Sequence, residues 1–371
     1  AKVCPYTAIV NIKRPCENAC KVKAIRMSEN RAVSIDNDKC TGCGACVYQC
    51  PFGAIMDKSY IVDVVDLIKQ SNNNQAYKLY AVVAPSISSQ FNYARLGQVI
   101  SGIKQLGFFH VVEAALGADM VAMAEAKELS EKGFLTSSCC PAFVEYVHNE
   151  FPDMAQHVSA NLSPMATIAK FIKESTPNAK VVFIGPCTAK KKEFQKEDVR
   201  PYIDSVLTFE ELDEWLKHEK IDLRNMPESG FESFDGSCDA RLFPIPGGML
   251  RTGGVENDGT IMNVMHASGS ESVMEMFSLS EENWNFSLIE PLFCREGCIN
   301  GPAIGTKANI YERRNNVIKY AARERNLNKT IEPVSVSLFT EYSADPPLAG
   351  PGYSEDEIME VYSRTGKTSD E

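Results

Sequence analysis

The sequence predicts an α/β fold of mostly parallel strands flanked by helices, preceded by a small α+β domain. Three observations predict it. From residue 77 onward, short apolar runs alternate with segments of helical periodicity. Residues 1 to about 57 are instead dense in cysteine and in short β-type pieces. The thirteen cysteines of the 371 residues fall into spaced groups rather than being scattered.

A hydrophobic fraction of 44% is enough to fill a substantial core. With no apolar run of eighteen residues and no basic-plus-apolar leader, a cytoplasmic protein with no membrane insertion is expected. A net charge of -11 without a dense Lys/Arg block argues against nucleic acid as a partner. It suits an electron-transfer protein that docks on other subunits or on a small carrier. A secreted disulfide scaffold would be shorter, so thiolate ligation of metal in a reducing cytosol is the simpler reading.

In the amino-terminal domain, CTGCGACVYQCP (Cys40 to Pro51) follows the C-x2-C-x2-C-x3-C-P run of bacterial ferredoxins. There three thiolates hold one 4Fe-4S cubane and the fourth reaches a second. CENACKVKAIRM, from Cys16, echoes CVYQCPFGAIMD, from Cys46, with the same C-x3-C spacing and the same Ala-Ile. By that symmetry Cys20 completes the cluster of Cys40, Cys43 and Cys46, while Cys50 crosses to the cluster held by Cys16. The positions matching Cys40 and Cys43 are Val10 and Lys13, which leaves Cys4 as the available substitute. The fourth ligand of that second cluster is then upstream of Ala1, a non-cysteine side chain, or absent. A zinc site is the structural alternative, but zinc knuckles do not use this run.

IVDVVDLIK is a helical connector and the polar SNNNQ (Ser71 to Gln75) the natural seam, which divides the chain into 1–76 and 77–371. Beyond it YAVVAPS, HVVEAAL, FLTSS, VVFIGP and LIEPLF read as strands, each followed by a helical pattern such as GADMVAMAEAKELSEK or SPMATIAKFIKES. Parallel sheets carry their sites at the carboxyl ends of the strands. Cys139 and Cys140 follow FLTSS, Cys187 follows VVFIGP, and Cys294 and Cys298 follow LIEPLF, so these are expected to converge on one edge. The Pro/Gly-rich, then acidic tail from about Pro346 reads as a surface strap.

A cubane needs four thiolates. Cys187, Cys294 and Cys298 supply three, and one of the vicinal pair Cys139 and Cys140 the fourth, its neighbour facing a different pocket. Adjacent cysteines are badly placed for a disulfide with each other. Cys238 has no assigned partner and reads as a buried free thiol.

TSSCCPAF, PCTAKKKE and EPLFCREGCINGP, in that order, resemble the three signatures of the iron-only (FeFe) hydrogenases, and with the ferredoxin-like module the resemblance covers essentially the whole chain. It implies a two-lobed catalytic domain of mostly parallel sheets and reversible reduction of two protons to H2. The implied cofactor is the H-cluster, a cubane bridged through one cysteine to a two-iron centre carrying carbon monoxide, cyanide and azadithiolate, with two further 4Fe-4S clusters in front. It assigns Cys140, Cys187, Cys294 and Cys298 to the cubane, with Cys298 the bridge. Cys139 becomes the thiol that passes protons to the two-iron centre, continued by Glu125, Ser159 and Glu128. Lys190, and the loop of Pro85 and Ser86, correspond to groups that hold its cyanides; Ser163 and Phe243 are expected to line the same pocket. Implied partners are a ferredoxin-like carrier or redox subunit and maturation proteins.

The chain departs from the family at Gly185 and Leu292, where familiar members have methionines, at Phe143, where they have tryptophan, and at Ser138 within the first signature. Outer-shell changes of this kind tune a metal site without abolishing it. Two other readings share the cysteines: a sensory or low-activity hydrogenase, and a non-catalytic iron-sulfur assembly scaffold. The scaffold has no use for Cys139, Glu125 and Glu128.

Overall fold

The computed structural model describes residues 13–28, 32–232, 239–253, 264–279, 287–322 and 337–340. Cys4, Cys238 and the tail from Pro346 lie outside them.

The amino-terminal module is a two-stranded antiparallel sheet, β1 (Ile25–Met27) and β2 (Val33–Ile35), beside the short helices Pro15–Ala19 and Ala45–Tyr48. The internal repeat is real in three dimensions. Ala24 N–H donates to Cys20 Sγ at 3.2 Å, and Ala54 N–H donates to Cys50 Sγ at 3.2 Å, the same bond at the same offset.

The connector helix Ile61–Gln70 turns Tyr60 and Val64 into the core of the large domain. The seam after it is held by Asn72, Asn73 and Asn74, all in the left-handed region that asparagine tolerates. The Asn74 side chain donates to Gly107 O and accepts from Leu79 N–H, which fixes the start of the next strand.

Two parallel sheets build the large domain. The first has the order β4 (His110–Glu113), β3 (Leu79–Val83), β6 (Lys180–Gly185), β7 (Ser205–Thr208). Its central strand LYAVV is buried at every position, as expected of a strand covered on both faces. The second has the order β5 (Leu135–Thr136), β9 (Leu288–Leu292), β8 (Val264–Ser268). The first sheet lies in one apolar cluster with Val82, Ile184 and Leu207, and the second is shared between two, one with Ala267 and Ile289 and one with Leu135 and Leu288.

The cysteines therefore do not converge on one edge of one sheet. β5 pairs with β9, not with β3, so the carboxyl ends of β3 and β6 face those of β5 and β9 across a shared cavity. The helix Ala114–Lys132 passes close by, with eleven of its nineteen residues buried.

Candidate functional site

Four strand ends enclose a cavity of about 110 Å³. That is several times the ~30 Å³ share of one water and well short of the ~300–1,000 Å³ of sites for extended organic ligands. Its walls carry Cys139 and Cys140 after β5, Pro85 and Ser86 after β3, Cys187 and Lys190 after β6, and Cys294 and Cys298 after β9. Phe243 lines it as expected. Ser163 does not: its hydroxyl accepts Ala166 N–H and caps the helix Pro164–Ser175, and Pro164 and Met165 reach the wall in its place.

All four candidate ligand thiols are pushed above their ordinary pKa by burial, Cys187 to about 11 and Cys294 well up, and Cys187, Cys294 and Cys298 are raised further by the charge of neighbouring thiols. Four thiolates cannot coexist there without a compensating cation, which is the demand an iron-sulfur cube meets. Two further features suit a compact anionic group. Ser86 Oγ is buried with no hydrogen-bond partner among the described residues, and Lys190 is buried on the wall, ion-paired with Glu193 at 2.5 Å. Gly185 and Leu292 reshape the cavity as well. A Cβ on Gly185 would fall 2.5 Å from Phe183 Cε1, so the Phe183 ring covers the place of a side chain there, while Leu292 lines the wall itself.

The vicinal pair divides the chemistry. Cys139 N–H donates to Ser137 Oγ at 3.4 Å, and Ser137 Oγ donates to Glu125 Oε1 at 3.1 Å. Ser138 N–H donates to the same oxygen at 3.0 Å. Burial raises Glu125 to about 7 against these hydrogen bonds. Ser159 Oγ donates to Glu128 Oε2 at 2.8 Å, and Asn161 Nδ2 donates to that oxygen at 2.7 Å. Glu128 meets Lys132 at 2.6 Å on the wall of a surface cleft of about 570 Å³. Cys139, Ser137 and Glu125 thus stand on the cavity side and Ser159 and Glu128 on the surface side of one buried polar row, with Glu125 Oε2 between them lacking a hydrogen-bond partner among the described residues.

The lysine run of PCTAKKKE would pass for a solvated surface on composition alone, yet each lysine has its own duty. Lys190 faces the cavity. Lys191 pairs with Asp57 at 2.6 Å and Glu211 at 2.7 Å. Lys192 pairs with Glu145 at 2.7 Å and donates to Cys40 O at 3.3 Å, and Glu145 also takes Lys196. Thr188 Oγ1 donates to Gly42 O at 2.8 Å, so the CTGCG loop is tied directly to the strand end that carries Cys187. Cys43 lies on the cavity wall beside Cys294 and Cys140. Burial, and then charge repulsion from Cys43, Cys40 and Cys20, brings Cys46 up to about 11 and marks these four thiols as neighbours.

Sequence reasoning missed Ser137, Asn161, Glu145 and Glu290. Glu290 is 3% exposed on the cavity wall, accepts Met249 N–H at 3.4 Å, and is raised by burial to about 8; its Oε2 has no partner among the described residues. The signal was available in part, since EPLF places a carboxylate inside an otherwise apolar strand.

A fold of two facing parallel sheets around a thiol-lined cavity, beside a ferredoxin-like loop, points to an iron-sulfur protein. The comparisons make it specific. Residues 77–302 match the family "Iron only hydrogenase large subunit, C-terminal domain" and residues 33–56 a "4Fe-4S binding domain". The chain belongs to the iron-only hydrogenase large-subunit family. It is 25% identical to the NADP-reducing hydrogenase subunit HndD of Solidesulfovibrio fructosivorans, over 83% of this chain and 63% of that one. It is likewise 25% identical to iron hydrogenase 1 of Clostridium pasteurianum, over 68% of this chain and 53% of that one. The chain thus spans between half and two thirds of these relatives. The cytosolic Fe-S cluster assembly factor NAR1 of Eremothecium gossypii is 27% identical over 53% of this chain and 46% of that one. Among solved structures, a single-residue variant of the [FeFe]-hydrogenase HydA1 from Chlamydomonas reinhardtii shares the fold at a TM-score of 0.57 and 17% identity, covering 82% of this chain and 94% of that one.

Proposed function

We propose that this chain is a hydrogenase, interconverting 2 H+ + 2 e- and H2. The observation that carries the reading is the row of polar side chains Cys139, Ser137, Glu125, Ser159 and Glu128, which runs from the thiol-lined cavity to a surface cleft. A protein that only held a cubane would have no use for it.

Cys140, Cys187, Cys294 and Cys298 would hold the cubane, and Cys298 would also hold a two-iron group, which when bound would supply the metal site for hydrogen chemistry. Lys190 and Ser86, the latter in a loop set by Pro85, would hold its anionic ligands; fixed donors in a dry site are worth more than in water. Electrons enter through Cys20, Cys40, Cys43 and Cys46, whose loop is bonded to the Cys187 segment through Thr188 and Lys192. Cys16 and Cys50, with Cys4, hold the outer cluster. Protons leave the cavity through Cys139. Glu125, brought to about 7, can take and give a proton near neutral pH, where an acid-base group works best.

The electron donor is a ferredoxin-like carrier or redox subunit, maturation proteins deliver the two-iron group, and the protein works in the cytoplasm. No described helix is long and apolar enough to cross a membrane. The match to NAR1 favours one second reading, an assembly scaffold that carries cubanes only.

Cys139→Ala tests the assignment. Turnover is expected to fall by about 10²–10⁴-fold, the share of a positioned proton donor, with all cubane signals retained in electron resonance. Undiminished turnover would remove Cys139 from the proton path.

A further inference from the structure

We propose that Asn161 is the positioning residue of the proton row: it points the Ser159 hydroxyl at Glu128 and ties Glu128 to the segment that holds Glu125. The inference rests on the hydrogenase reading and adds to it a residue that carries no proton itself.

The backbone decides how Asn161 is presented. Residues 160–162 run antiparallel to residues 338–340, bridged at Asn161 and Phe339. Leu162 N–H donates to Leu338 O at 2.9 Å and Thr340 N–H donates to Ala160 O at 2.8 Å, while Thr340 Oγ1 donates to Asp198 Oδ2 at 2.7 Å. Successive residues of such a pair turn their peptide groups alternately toward and away from the partner. The N–H and C=O of Asn161 therefore face away from residues 338–340 and into the row.

There Asn161 meets both halves. Its N–H donates to Ser159 Oγ at 3.2 Å, and its side-chain Nδ2 donates to the same oxygen at 3.0 Å. Nδ2 also donates to Glu128 Oε2 at 2.7 Å. A hydroxyl has one hydrogen and two lone pairs. With both lone pairs of Ser159 taken by Asn161, its hydrogen is left for Glu128, which it meets at 2.8 Å. The amide is fixed in turn, because an oxygen in the place of Nδ2 would face Glu128 Oε2, an acceptor on a carboxylate paired with Lys132.

The carbonyl of the same residue reaches toward the cavity. Asn161 O accepts the Ser138 hydroxyl at 2.8 Å, and Ser138 N–H donates to Glu125 Oε1 at 3.0 Å. Hydrogen bonds through one residue thus set how the two carboxylates of the row stand to each other. Asn161 does this from the wall of the surface cleft, only 9% exposed, where water would otherwise compete for Ser159 and Glu128.

Two substitutions separate the donor from the shape of the side chain. Asn161→Asp keeps the shape and both backbone contacts but replaces the donor by a second carboxylate against Glu128; Asn161→Ala removes the side chain beyond Cβ. In the matured enzyme both are expected to slow H2 turnover about 100-fold, the loss that follows a misplacement of about 1 Å, with unaltered carbon monoxide and cyanide bands. Undiminished turnover in Asn161→Ala, or a wild-type rate in Asn161→Asp, overturns the proposal.

The second readout needs no two-iron group. In protein carrying only its iron-sulfur clusters, the antisymmetric carboxylate stretch of Glu128, identified by its loss in Glu128→Gln, is expected to shift in Asn161→Ala, which takes away the donor at 2.7 Å. A band unmoved in Asn161→Ala overturns the positioning of Glu128, whether or not that variant matures. A wild-type protein that turns over no hydrogen, with the band shifted in Asn161→Ala, would refute the hydrogenase reading alone.

Discussion

Replacing Glu125 by glutamine tests the buried carboxylate that the proton path turns on. Glu125 is 1% exposed, and burial raises its pKa from 4.5 to about 7. A carboxyl raised on folding contributes stability that is fully present below 4.5 and is lost as pH rises through 7, because only the unfolded chain ionises it freely. The difference of 7 − 4.5 = 2.5 units corresponds to about 3 kcal/mol at 1.36 kcal/mol per unit, most of it gone by pH 7. Glutamine has no proton to lose and keeps an oxygen for Ser138 N–H. Wild-type and Glu125→Gln proteins should therefore be unfolded anaerobically at pH 4.5 and pH 8. The double difference cancels the clusters and the other titrating groups to the extent that the variant leaves them alone. The wild type is expected to lose about 3 kcal/mol more than the variant on going to pH 8. A double difference near zero would mean that Glu125 ionises as freely folded as unfolded, and its place as a carrier poised near neutrality would fall.

Other substitutions probe the frame around the site. Gly44 has φ +73°, and a Cβ there would lie 2.4 Å from Thr188 Oγ1 and 2.8 Å from Pro302. Gly44→Ala is expected to cost at least the ~1–2 kcal/mol of a left-handed alanine and to slow reduction of the catalytic cubane; wild-type values of both would refute the close docking of the two domains. Glu145→Gln leaves Lys192 and Lys196 facing a neutral amide, so a loss of about 3–5 kcal/mol is expected in denaturant unfolding; a loss well under 1 kcal/mol would show a pair already solvated. Glu290, raised to about 8, is unfavourable when charged, so Glu290→Gln should gain stability over wild type as pH rises from 6 to 9 in thermal unfolding. A gain that does not grow with pH would contradict that.

Cysteine spacing made most of the metal chemistry readable, since ligand runs are local and each residue type admits few roles. The long apolar strands β3, β6 and β9 were legible for the same reason. β7 and β8 were not: SVLT is only four residues long, and VMHAS mixes polar with apolar positions along its length. Nor could local pattern show that β5 joins β9, because pairing between distant strands leaves no mark in either one; the expected single edge became two facing edges. The lysines of PCTAKKKE look solvated in sequence, and only the docked CTGCG loop and Glu145 explain their burial. Ser163 reads as a lining residue beside its motif, but the start of a helix claims its hydroxyl. Ser137 carries no signal of its own, being one serine of two; what singles it out is the orientation set by the end of β5.

The most direct test of the hydrogenase reading is an infrared spectrum of anaerobic protein incubated with a synthetic two-iron precursor, across the carbon monoxide and cyanide stretching region. Sharp bands that shift under hydrogen are predicted. No bands, with the cubanes present by electron resonance and a known hydrogenase loading in parallel, would contradict it and favour the scaffold.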